Sequence, residues 1–126
     1  MLNAAERHFH TDMVTVAERL KNEIGYYPKI FMRMVAERGA VHAARRLLSG
    51  ADASYGFTTM WEHDRLALSV EAFSLLPWYR DLFTADHHET AERRLTEHRF
   101  DVDGFLLRAS ANPPRWTSPS TGASGE

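Results

Sequence analysis

The chain has 126 residues, a formal net charge of −2, 44% hydrophobic and 25% charged residues, and no cysteine. That length gives one domain able to bury a core without covalent staples, and the missing cysteine excludes disulfides, cysteine-ligated metals and cysteine nucleophiles. A balance this close to neutral makes no global case for nucleic acid, and the longest mostly apolar run, 66–78, carries Glu71 and Pro77 and is shorter than the ~20 residues a membrane span needs.

The opening MLNAAERHFHTDM is too charged to serve as a signal peptide, so the expectation is a soluble cytoplasmic protein with no membrane partner. Phe9, Met13, Val16, Ala17, Leu20 and Ile24 recur at steps of three and four, which predicts one long helix with a single apolar stripe. Gly25 supplies the left-handed residue that ends it. Pro28 suits the first turn of a second helix, KIFMRMVAER, with Phe31, Met34 and Val35 inward and Gly39 as its stop. A third helix is expected over 40–49, burying Val41, Ala44, Leu47 and Leu48, with Ala40, Ala43 and Ala44 small enough for close helix approach.

GADASYGF, residues 50–57, has turn chemistry throughout and predicts a loop. Thr58 or Thr59 would then cap a fourth helix over MWEHDRLA, in which Trp61 and Leu66 take core positions. Ser69 is a further cap, with Glu71 in the first turn of VEAFSLL, where an acid suits the helix dipole. PWYRDLF forms a short element, Thr84 caps a helix over 85–98 with His88, Ala91, Leu95 and His98 on one face, and DVDGFLL adds an edge or one more turn. No period-two pattern persists over five residues, so the fold class is all-α: a compact bundle of about six to seven short helices without a sheet. The helical domain spans 3–108, and residues 109–126, rich in Asn, Pro, Ser, Thr and Gly, make a flexible tail.

Glu62, His63 and Asp64 look like a site. Consecutive helical residues point about 100° apart, so the three cannot converge on one ion. Arg65 and Glu71 are better placed to pin one helix to the next as a charged pair. His88 with Glu92, Glu6 with His10, and His8 with Asp12 each stand four apart and each could give two metal ligands, fewer than a metal needs. Nucleophile elbows, phosphate loops and dinucleotide fingerprints are absent from the sequence. No catalytic residue, metal or cofactor is therefore assigned.

Charge is uneven along the chain. Lys29, Arg33, Arg38, Arg45 and Arg46 stand against the single acid Glu37 between 29 and 46, whereas 84–103 holds six acids and three arginines. MVAERGAVHAARRLL resembles a helix-turn-helix, but Arg38 and Arg45 fall where apolar residues normally pack its two helices. A basic face touching phosphate without sequence readout is the alternative function. Tyr26, Tyr27, Trp78 and Tyr79 gather at helix junctions, where rings pack and hydroxyls reach solvent.

The runs GYYPKIFMRMVAERGAVHAARRLL, SYGFTTMWEHDRLALSVEAF, LFT and AERRL together resemble a small all-helical module that recurs in bacterial proteins. The resemblance covers roughly 9–100 and implies that Trp61, Glu62, Arg65, Leu66, Leu68, Ser69 and Glu71 belong to the module's signature, whereas His63 and Asp64 do not. The chain departs from it at Ala67, where relatives often carry Asp. The expected function is a non-catalytic interaction module whose protein partner docks around Trp61, Glu62, Arg65 and Glu71.

Overall fold

The computed structural model describes residues 2–117. Seven α-helices and three 3₁₀ turns make up the regular structure of these residues, with no strand among them. The all-α class expected from the periodicity is the one found.

Helix α1 (Ala4–Ile24) buries Phe9, Met13, Val16, Ala17 and Leu20 along one stripe. Asn3 and Glu6 form a capping box at its start, and Gly25 ends it at φ 69°. There the Tyr26 N–H donates to Leu20 O and the Gly25 N–H to Lys21 O, a nested pair of bonds that closes the helix at its left-handed glycine. Helix α2 (Lys29–Arg38) and helix α3 (Ala40–Leu48) meet at Gly39, whose φ of 93° and ψ of 156° form a corner open to glycine alone.

α3 touches α1, α2, α5 and α6, which its fully enclosed Ala43 and Ala44 permit. Helix α4 (Tyr55–Glu62) comes next, followed by α5 (Val70–Ser74), α6 (Ala85–Glu97) and α7 (Val102–Ala111). The 3₁₀ turns lie at Leu66–Leu68, Arg80–Leu82 and Arg115–Thr117. α5 is short but central: Val70, Glu71, Ala72 and Ser74 are all buried. Ser69 caps it as expected, its Oγ accepting the Ala72 N–H at 3.1 Å and donating to Leu66 O at 2.7 Å.

The loop expected at 50–57 ends at Ser54, and Tyr55, Gly56 and Phe57 begin α4. Ser54, not Thr58 or Thr59, is its cap, accepting the Phe57 N–H at 3.1 Å. Gly56 lies inside the helix because the Tyr26 ring occupies the space beside it: a Cβ there would stand 2.9 Å from Tyr26 Oη. The helix ends at His63, and Asp64 takes the left-handed conformation at φ 57°, so MWEHDRLA is not one continuous helix.

Of the expected tail, residues 118–126 lie outside the described residues. Residues 109–117 carry the end of α7 and the last 3₁₀ turn. Trp116 stacks flat on His8, with ring centroids 4.4 Å apart, and sits 5.8 Å from Tyr79.

Candidate binding pocket

The structure parts the residues that the sequence had grouped. Trp61 is 48% exposed rather than in the core, its ring edge-on to His98 at 5.0 Å, and Glu62 is exposed beside it. Arg65 does not pair with Glu71. Its Nε lies 3.0 Å from Glu23 Oε1, and its Nη1 donates to His63 O and Asp64 O, tying the end of α4 to α1. Glu71 is enclosed and offers nothing to a docked surface, so the four residues do not form one patch.

Glu71 meets Arg94 instead, at 3.0 Å between Oε2 and Nη1. The Arg94 guanidinium also donates to Leu47 O at 3.3 Å, Gly50 O at 2.8 Å and Asp52 O at 3.0 Å. It thereby closes the carbonyl end of α3, where a cation suits the helix dipole. Its Nε is buried with no acceptor. Burial pushes the Glu71 carboxyl above the ordinary carboxylate range, and Arg94 works against that shift. Sequence reasoning missed Arg94, although a signal was present. Position 94 falls between Ala91 and Leu95 on the stripe assigned to this helix, and an arginine on a buried stripe requires an acid and several carbonyls.

The five cations of the basic segment are divided. Lys29 and Arg46 line one cavity, Arg38 and Arg45 line a second, and Arg33 lines neither. The second cavity is smaller, about 160 Å³, and holds Glu6 among its lining residues, while Arg45 Nε is committed to Leu82 O at 2.8 Å. The five cations of the alternative function therefore do not line one cavity.

The larger cavity is the feature that sequence reading did not reach. About 510 Å³ of space lies between the C-terminal half of α1, the turn at 25–28, α2, α3 and α4, a size suited to a small ligand or a large side chain. It exists because α2 stands off the bundle. Val35 is that helix's one buried residue, and Phe31 and Met34, expected to be core, are half-buried on the cavity wall. Met13, Val16, Leu20, Met60 and Leu68 form an apolar interior, and the enclosed Glu71 is among the residues that line it.

Tyr26, Tyr27, Ile30 and Tyr55 form the rim, with Ile30 76% and Tyr55 78% exposed. The rings of Tyr26 and Tyr55 lie 6.0 Å apart. Burial raises the Tyr26 hydroxyl's pKa, so it remains a neutral donor and acceptor.

Among the described residues, no three His, Asp or Glu side chains converge on a metal position. His88 Nε2 lies 2.9 Å from Arg80 O rather than facing Glu92 in a ligand pair. No helix of the described residues is long and apolar enough to cross a membrane. Comparison with family models, curated proteins and solved structures gives no match.

Proposed function

We propose that the chain is a non-catalytic interaction module of the bacterial cytoplasm whose protein partner docks over the rim of the larger cavity. The observation that carries this reading is the rim itself. Ile30 and Tyr55 are large apolar side chains left mostly in water, contiguous with an apolar pocket, and a contiguous patch of that kind is the usual mark of a docking surface.

The partner's chemistry follows from charge. Lys29 and Arg46 flank the rim, and among the described residues neither takes part in an ion pair. They suit a partner segment that is apolar in the middle and acidic at its edge. Trp61 and Glu62 lie outside this rim, so the reading moves the docking surface from the corner to the pocket mouth.

Paired substitutions test it by co-elution from extracts of the source cell. Ile30→Asp/Tyr55→Asp releases the chain from its complex, Lys29→Glu/Arg46→Glu weakens the complex, and Trp61→Asp leaves it intact. If Trp61→Asp alone dissociates the complex, the original corner is the surface.

A further inference from the structure

The rim accounts for exposed apolar surface but not for the space beneath it. The geometry points to that interior as a binding site for a small amphiphilic carboxylate, its apolar chain inside and its head at the mouth. This goes beyond partner docking, because the ligand would lie under the rim rather than on it.

Three independent features fix the chemistry. The interior, from Met13 and Leu20 to Met60 and Leu68, is apolar and of ligand size. Lys29 and Arg46 line the cavity while remaining exposed, so they stand on its open side, and both lack an acidic partner among the described residues. Glu71 is also on the lining, but its carboxylate is already held by Arg94 and offers no free charge. An anionic head is therefore attracted to the two cations at the mouth, and the apolar interior takes the chain. The first turn of α2 adds to the mouth: Pro28 provides no side-chain cap, and Lys29, Ile30 and Phe31 all line the cavity. The amides there favour negative charge. A primary amine would have to abandon water for a carboxylate that Arg94 already satisfies, and an uncharged alcohol would leave both cations unused.

The cavity contains its own reporters. Met13, Met34 and Met60 line it and Met32 does not. The experiment is a titration of the full chain, labelled at the methionine methyl groups, with decanoate, decanol and decylamine below their aggregation concentrations. Decanoate should move the Met13, Met34 and Met60 signals saturably, leave Met32 nearly still, and bind several-fold more tightly than decanol. Lys29→Glu/Arg46→Glu should cost decanoate about tenfold in affinity and leave decanol unchanged, since a charge-assisted contact is worth roughly that factor.

Equal or tighter binding of decanol overturns the carboxylate head while retaining an apolar site. Tightest binding of decylamine overturns it in favour of recognition by Glu71. No shift with any probe, or shifts confined to Met32, overturns the site altogether. None of these outcomes bears on the co-elution result, so the pocket and the rim fail separately.

Discussion

Arg94 Nη1 lies 3.0 Å from Glu71 Oε2, with the two side chains 3% and 1% exposed, so that a closed ion pair joins α6 to the central helix α5. A buried pair is seldom stabilising relative to apolar residues, but losing one member strands the other. Arg94→Met should therefore cost about 3–5 kcal/mol, since it also removes the donors that reach Leu47 O, Gly50 O and Asp52 O. Arg94→Lys should recover only part of this, because a single ammonium cannot span three carbonyls and a carboxylate. Urea unfolding measures both, and a loss under about 1 kcal/mol for Arg94→Met would place the pair in effective contact with solvent.

The same pair sets a pH dependence. Burial raises the Glu71 pKa in the folded chain above the ordinary value of 4.5, so on raising the pH the unfolded chain loses this proton first. The carboxyl's contribution is then fully present below about 4.5 and declines as pH rises through the folded value. Wild-type stability relative to Glu71→Gln should fall as pH rises from about 4.5 to the folded value and level off above it. Paired unfolding curves from pH 4 to 8 check the sign, and a difference that grows in wild type's favour would mean Arg94 outweighs burial.

Gly56 and Tyr26 make a steric pair. A Cβ at 56 would lie 2.9 Å from Tyr26 Oη but 3.7 Å from the nearest ring carbons, so the clash is with the hydroxyl alone. Gly56→Ala should destabilise the chain by about 1–2 kcal/mol. In a Tyr26→Phe background it should be neutral or stabilising by up to about 1 kcal/mol, the ordinary helix preference for alanine. Equal costs in both backgrounds would contradict the contact.

Most of the architecture was legible because periodicity and punctuation agree. The long first helix, Gly25, Gly39 and the caps at Ser69 and Thr84 each combine an apolar stripe with a residue whose local chemistry ends or starts a helix. Legibility fails where a residue's reason lies elsewhere in the chain. Gly56 reads as a turn glycine but is small for the sake of Tyr26, thirty positions earlier. Arg65 and Glu71 read as partners because they are near in sequence, yet each pairs across the bundle, with Glu23 and Arg94. The cavity has no sequence signature: Phe31 and Met34 keep helical spacing whether the wall they form is closed or open.

His87 occupies the third position of α6, where a glutamate would usually complete the capping box. Its Nδ1 lies 3.1 Å from the Thr84 amide, which requires the neutral ring to accept. Burial, assisted by Arg45 and His88, holds its pKa below 6.5. The cap is therefore present above about 6.5 and lost as pH falls through the lower folded value. An NMR titration should place His87 below the ordinary histidine value, and a value above it would mean the box is not formed. His87→Ala should cost about 0.5–1 kcal/mol at neutral pH.

The proposed docking of a protein partner over Tyr27, Ile30 and Tyr55 rests on their exposure at the rim. Its most direct test is photo-crosslinking in the source cell, with p-benzoylphenylalanine replacing Tyr55, Trp61 or Glu92 in separate experiments. Docking at the rim predicts a discrete protein adduct from position 55, with none from 61 or from 92 on the exposed side of α6. Adducts only from 61 or 92, a nuclease-sensitive adduct at 55, or no adduct at any position would contradict it.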